Sequence, residues 1–338
     1  MRKLVILALC FVLACSKQNS SQEATAEPEA NTPTDDASAA PAAPSEPPAT
    51  ATVEEPEPEP AVVPRPEVEL LSKGSAPRHP LRWDFKAGME GSATIEMKMK
   101  AAVTIDENSQ PPTPTPPILT TMDVVVQEVD DTGTALIGFT VSKVGVGEDD
   151  EVPASVSTQI ETSLANIVGL RGSYRCEAGG FVSEVSTEVP SQASAAVRQA
   201  VENIRQSLRQ MSVPFPDEPV GKGARWKLVS QYPYSGMQVT EAATFTIKKI
   251  RMPNVVAAVS VTQTAPPQTI TGGNGQSGEL EALKTDSKGV NRWNFEEVLP
   301  AEVTRDSSMS MTMKGPGNDG ADHRVTLDVD FTVQMKSE

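Results

Sequence analysis

Most of the chain beyond residue 80 alternates apolar and polar side chains with a period of two, the pattern of strands with one buried face. In residues 95–100, for example, three apolar side chains alternate with three charged ones. The same pattern predicts strands at 81–85, 122–129, 135–144, 225–231, 238–250, 255–264, 279–285, 290–297, 302–313 and 324–335, with a hairpin at 173–187. Pro111 to Pro117 predicts a loop, and Ser287-Lys288-Gly289 a turn. Short connections of this kind favour antiparallel pairing.

Two stretches instead space their apolar residues as helices do. They cover residues 152–167 and 193–211, and the second keeps its charged residues outside an apolar stripe. A large sheet must cover its apolar face, and amphipathic helices are suited to this. We therefore expect an α+β fold, in which two central amphipathic helices pack on a large, strongly curved, half-barrel-like antiparallel sheet.

Composition divides the chain into three parts. Residues 1–14 read as a signal segment, residues 15–78 are rich in Pro, Ala and Glu, and residues 79–338 carry the periodic pattern. The middle part has no aromatic residue and few large aliphatic ones, so it cannot bury enough surface to offset the entropy cost of ordering. We expect a disordered tether at 15–78 and a single α+β domain at 79–338.

The first residues indicate export. Arg2 and Lys3 precede an apolar run that is too short to span a membrane, and Val12-Leu13-Ala14-Cys15 follows the lipobox pattern. This segment resembles a bacterial lipoprotein signal, which implies cleavage before Cys15, acylation of Cys15 and a membrane partner held through the lipid anchor. Ser16 after the cysteine implies, by the same resemblance, the outer membrane. The alternative is an ordinary cleaved signal in which Cys15 is incidental.

A second resemblance lies after the second predicted helix. Residues 215–226, Phe-Pro-Asp-Glu-Pro-Val-Gly-Lys-Gly-Ala-Arg-Trp, are similar to a junction of uncharacterised bacterial lipoprotein families with repeated antiparallel strands. The glycine-punctuated stretch 275–297 looks like the same families. These families imply no catalytic residues. The layout of strands and helices is also similar, more remotely, to periplasmic half-barrel carriers of lipoproteins or lipids.

The net charge and the sequence motifs argue against several classes of function. The formal net charge is −16 at pH 7, which argues against nucleic-acid binding. The two histidines, His79 and His323, fit no hydrolase or metalloprotease motif, and Asp328 and Asp330 fit the solvent face of a strand. Cys176 is expected to be a buried structural thiol. We therefore expect no enzyme activity, no cofactor and no metal site.

Methionines supply the remaining candidate chemistry. Alternation places several of them on one face of two strands: Met97, Met99, Met309, Met311 and Met313. They can form ordinary core, line a groove for an apolar, lipid-like ligand, or bind Cu(I) through soft thioethers. The leading hypothesis is a non-enzymatic, anchored envelope lipoprotein with a binding or structural role. The alternatives are a carrier of an apolar ligand and a Cu(I) binder.

Overall fold

The computed structural model describes residues 65–150, 152–188, 198, 201, 204, 205, 208, 213–234, 236–271, 277–317 and 320–338. These residues form mainly one 14-stranded antiparallel sheet. Its strands are β1 Glu67–Ser72, β2 Glu90–Ile105, β3 Asn108–Ser109, β4 Thr113–Val129, β5 Ala135–Val146, β6 Arg171–Cys176, β7 Val182–Thr187, β8 Arg225–Tyr234, β9 Met237–Arg251, β10 Asn254–Ala265, β11 Gln268–Thr271, β12 Ser277–Asn294, β13 Glu302–Pro316 and β14 Asp322–Ser337.

The sheet runs in the order β1-β8-β9-β10-β12-β13-β14-β2-β4-β5-β6-β7, with β11 beside β12 and β3 beside β2. Directly paired residues point to the same face, because side chains alternate along each strand. Leu327, for example, pairs with Met311 on one side and with Val103 on the other. We call the face that carries these buried side chains the inner face.

The sheet curls until residues near its two ends meet, although β1 and β7 do not pair with each other. Arg65, just before β1, donates to both carboxylate oxygens of Glu177 at 2.9 and 2.7 Å. Glu177 lies in the turn between β6 and β7. Irregular segments bridge the same seam, where the backbone N–H of Phe215 donates to Gly179. Elsewhere, a turn joins β4 to β5, and Asp130 accepts hydrogen bonds there from the backbone N–H groups of Thr132 and Thr134.

Aromatic side chains fill the inner face near this seam. The Phe215 ring packs edge-to-face against Trp226, Trp293 and Phe295 at centroid distances of 6.3, 5.2 and 5.3 Å. Trp226 in turn stacks on Phe245 of the neighbouring strand β9 at 5.0 Å. Phe215 therefore joins β8, the end of β12 and the loop that follows it. The curl lets the sheet bury much of its own apolar face.

The prediction of two central helices is not borne out. The structure gives bounds for one α-helix, α1 (Ala154–Leu164), which packs against β5 and buries only Ile160, and a 3-10 turn follows at Ala165–Ile167. Most of the second predicted helix lies outside the described residues. Among its described residues, Val201 and Leu208 are buried against the core. The physical reason for the difference is that the sheet curls and so buries much of its own apolar face, cover that the sequence pattern assigns to helices.

Two of the predicted strands are in fact one. Residues 279–285 and 290–297 lie largely within the continuous strand β12, with no turn at Ser287-Lys288-Gly289. Gly289 remains in register opposite Arg305 of β13. A Cβ at Gly289 would lie 1.9 Å from the Thr304 carbonyl oxygen. Glycine is therefore placed here for close approach of two backbones and not for a turn.

Three further segments differ from the sequence pattern. Residues 81–85 bury Leu81, Trp83 and Phe85 but belong to no strand, because they bond to turns and not to a neighbouring strand. The proline-rich stretch enters β4 from Thr113 onward, where a shift of register between β2 and β4 accommodates it. Strand β1 lies within the part that composition assigns to the tether, because its alternating residues pair with β8.

Candidate functional site: a row between two cores

Two large apolar clusters occupy the inner face, and a row of side chains lies between them. The first cluster contains the aromatic residues near the seam, and the second contains Leu280, Met311 and Leu327. The row crosses β13, β14, β2, β4 and β5 in direct register and consists of Arg305, Val333, Met97, Ile118 and Val146. All five side chains are half-buried. Among the described residues they belong to neither cluster, and we call them the Arg305 row.

Gly289 makes room for the charged end of the row. A Cβ at this position would lie 2.9 Å from Arg305 Nη1, so a larger residue would displace the guanidinium. Arg305 donates from Nη1 to the Thr304 carbonyl oxygen at 2.8 Å. Within the described part of the chain, no carboxylate lies within 4 Å of the guanidinium, and this is its only hydrogen bond. An arginine carries five N–H donors, so most of its hydrogen-bonding capacity is left over.

The carboxylate that acts electrostatically on Arg305, that of Glu241, is held in a separate hydrogen-bond network. Glu241 on β9 accepts hydrogen bonds from Gln263 Nε2 at 2.7 Å and from the Tyr232 hydroxyl at 3.2 Å. Burial lowers the pKa of the Arg305 guanidinium to about 10, and the Glu241 carboxylate raises it, so the group stays charged at neutral pH. The inner face thus presents the positive charge of Arg305 beside apolar side chains. The Glu241 carboxylate already accepts hydrogen bonds from two other side chains.

The five predicted methionines all lie on the inner face, but in two environments. Met99 and Met311 are buried in the second cluster, and Met309 and Met313 pack partly against it. Met97 instead lies in the Arg305 row, one strand beyond Val333. Four of the five thioethers are therefore packed among aliphatic side chains, as ordinary core predicts.

The cavities differ from the closed apolar pocket that a carrier would need. An apolar cavity lined by Trp83, Tyr174 and Cys176 holds only about 50 Å³. A larger cleft of about 690 Å³ lies at the seam, lined by Arg65, Arg82 and several acidic residues. In that cleft both arginines are already paired, Arg65 with Glu177 and Arg82 with Asp217. The Arg305 row combines apolar side chains with an arginine that has no ion pair among the described residues.

The structure does not bring the candidate catalytic residues together. Cys176 is buried in the first cluster on β6, as expected, and burial raises the pKa of its thiol to about 12. His323 lies at the start of β14, where Nδ1 is 2.8 Å from Asp106 Oδ2. Asp328 and Asp330 are exposed on the outer face. Within the described residues, no group of three His, Cys, Asp or Glu side chains is arranged to hold a metal ion.

The predicted export signal and lipid anchor do not belong to this site. Cys15 and the whole signal segment fall outside the described residues. None of the helices that the structure describes combines the length and the apolar character needed to cross a membrane. Sequence inspection missed Arg305, although it shares the odd-numbered positions of Met309, Met311 and Met313 on β13. That alternation was the available signal for its inward direction.

Comparisons with known proteins give no family. No protein-family model and no curated protein matches the chain. One solved structure that it matches is OmpT, an outer membrane protein of Vibrio cholerae, with 8% identity over 75% of this chain and 100% of that chain, at a TM-score of 0.17. Another is Ail, the attachment invasion locus protein of Yersinia pestis, with 9% identity over 73% of this chain and 99% of that chain, at a TM-score of 0.12. Similarity at this level defines neither a shared fold nor a shared function.

Proposed function

We propose that the chain is a lipid-anchored protein of the cell envelope that binds a ligand on the inner face of its curled sheet. The observation that carries the proposal is the lipobox Val12-Leu13-Ala14-Cys15 after a short, positively started apolar run. Acylation at Cys15 attaches the protein to the outer membrane. Several acyl chains on one cysteine anchor stably, where one chain would bind only marginally.

The binding role is supported by the inner face. The Arg305 row leaves a charged and apolar surface half-exposed between two packed clusters. Burying a charge without an ion-pair partner is costly, so an arginine placed there for stability alone would need a carboxylate beside it. A bound ligand explains why the guanidinium keeps its donors available.

The anchor is tested by expressing the full chain in a bacterial host and feeding it an alkyne-tagged fatty acid. Label should appear on the wild type and on Cys10→Ser, and both should sediment with the outer membrane. Cys15→Ser should lose the label and leave the membrane fraction. Unlabelled wild type would show that the signal is an ordinary cleaved one, and labelled Cys15→Ser protein would place the acylation at another residue.

Carriage of an apolar ligand is the second candidate function. It is favoured by the half-buried apolar residues of the row, which include Met97. Because the apolar cavity beside Cys176 holds only about 50 Å³, such a ligand would lie along an open face and not inside a closed pocket. Extraction of purified protein with organic solvent, followed by mass spectrometry, should recover a stoichiometric amphiphile. Recovery of none would rule out tight carriage.

A further inference from the structure

We infer that the Arg305 row binds a single-chain anionic amphiphile, with its anionic head on Arg305 and its chain laid across the sheet toward Val146. The inference rests on the proposed function, because it specifies the ligand of that same inner face. The shared chemistry is a carboxylate or phosphate head on a long saturated tail. Free fatty acid and alkyl phosphate are two sources of that chemistry.

The geometry of the row suits an extended chain. Val333, Met97, Ile118 and Val146 follow Arg305 on four successive strands, one residue per strand. Neighbouring strands lie about 4.8 Å apart, so the row spans roughly 19 Å from β13 to β5. It is apolar at every position after Arg305, and a thioether at Met97 adapts to irregular shapes. A continuous apolar strip of this length fits a long acyl chain and not a small polar metabolite.

The charge pattern fixes the direction of the ligand. Arg305 lies at one end of the row, and the other four residues are uncharged. Its planar guanidinium matches a carboxylate or phosphate through two parallel hydrogen bonds. Among the described residues, no ion pair within 4 Å joins Glu241 to Arg305, and Glu241 Oε2 accepts its hydrogen bonds from Gln263 and Tyr232. An anionic head therefore completes the hydrogen bonds that Arg305 lacks.

The test measures displacement of a fluorescent fatty acid, dansyl-undecanoate, from the full chain carrying Cys15→Ser, which avoids detergent. Competitors are hexadecanoate, hexadecyl phosphate and the neutral hexadecanol, together with acetate and inorganic phosphate as heads without tails. The variants are Arg305→Gln and Arg305→Met, the second of which keeps an apolar side chain at the position. The matched control is Arg292→Gln, whose arginine lies on the outer face of β12 and pairs with Glu302.

We expect hexadecanoate or hexadecyl phosphate to bind at least tenfold more tightly than hexadecanol to the wild type. Both Arg305 variants should lose at least tenfold for the anionic competitors and keep their affinity for hexadecanol, and Arg292→Gln should match the wild type. Equal affinity of the wild type for hexadecanol and hexadecanoate would overturn the inference and leave the binding role standing. No binding of any long-chain compound would overturn both the inference and the binding role. Binding of acetate or phosphate alone at similar strength would assign an anion site without a tail.

A Glu241 variant tests whether the ligand head is negatively charged. Glu241→Gln removes a negative charge near the guanidinium and keeps an acceptor for Gln263. Affinity for hexadecanoate should rise by roughly threefold or more, because the repulsion of the ligand carboxylate is removed. Affinity for hexadecanol should not change. A fall in hexadecanoate affinity would show that Glu241 positions Arg305 and does not repel the ligand.

Discussion

At the scale of single residues, Gly289 shows how a local signal can mislead. Its position after Ser287 and Lys288 is typical of a turn, yet the chain continues as a strand. The glycine is needed because the Thr304 carbonyl and the Arg305 guanidinium approach its α-carbon. Sequence pattern cannot separate these two uses of glycine, since the reason lies on a strand that follows later in the chain.

Gly289→Ala should therefore destabilise the protein by about 1–3 kcal/mol, because the added methyl group overpacks two backbones. Urea unfolding followed by circular dichroism measures this. Gly145→Ala is the control, because a Cβ there meets no atom within 4 Å. Equal stability of the two variants would contradict the close approach.

Burial also fixes the behaviour of Cys176. Burial raises the pKa of this thiol to about 12 and raises the pKa of its neighbour Tyr174. An unfolded cysteine titrates near 8.5, so between about pH 8.5 and 12 the folded chain holds a proton that the unfolded chain has lost. Stability from Cys176 is fully present below pH 8.5 and is lost as the pH rises toward 12.

The free energy of unfolding should thus fall as the pH is raised from 8 to 11, and Cys176→Ala should reduce the slope. Chemical denaturation at each pH gives the slope. In a Cys10→Ser, Cys15→Ser background, the remaining thiol should react with a disulfide reagent at pH 8 only after denaturation. Rapid labelling of the native chain would place Cys176 at the surface.

At the scale of elements, the spacing of apolar residues predicts which face of a helix is apolar, but not which strand that face contacts. The spacing in residues 152–167 predicts a helix, and α1 forms there, but Val156 of its stripe is exposed. In the second stretch Val201 and Leu208 are buried. The sequence alone cannot predict which of these side chains is the more buried, because burial depends on the strand that each side chain contacts.

Leu208→Ala should accordingly lower the free energy of unfolding by about 2–5 kcal/mol, the usual effect of removing a buried leucine. Val156→Ala should change it by less than about 0.5 kcal/mol. Thermal and urea unfolding of both variants provide the comparison. A larger effect at Val156 would mean that α1, and not the segment around Leu208, covers the sheet.

The seam between the ends of the sheet is a second element-scale feature. Its ion pair is partly solvent-exposed, with 57% of the Arg65 side chain accessible, so its contribution to global stability should be at most about 1 kcal/mol. Arg65→Gln should instead increase hydrogen exchange locally, in β1 and the β6–β7 turn. Lys284→Gln is the control, because Lys284 pairs with Asp286 on its own strand. Unchanged exchange at the seam would show that backbone contacts alone hold the two ends.

At the scale of the whole molecule, the composition of the chain and the pairing of its strands place the first residue of the folded part at different positions. Composition assigns residues to the tether as far as 78, whereas β1 begins at Glu67. Val68 and Leu70 alternate with glutamates, but two apolar residues are too few to outweigh a proline-rich surrounding. Pairing with β8, more than 150 residues later, orders this strand.

Digestion with a glutamate-specific protease tests the boundary. Cleavage should occur in the predicted tether as far as Glu54, the last glutamate there that is not followed by proline, and should spare Glu67 and Glu69, which the strand pairing protects. Intact mass measurement identifies the first residue of the stable fragment. A fragment that starts at Val68 or Leu70 would show that β1 does not contribute to the folded part.

The sequence by itself determined the antiparallel strands and the inward direction of the methionines, and it predicts an export signal and an acidic tether. These follow from local composition and from a period of two, which act over a few neighbouring residues. Only the tertiary structure decided that the sheet curls, that β12 is continuous and that Arg305 stands in register with Val333 and Met97. Those features depend on register between strands up to 244 residues apart, as for Ser337 and Ala93, and register is set by which apolar side chains meet across the strands.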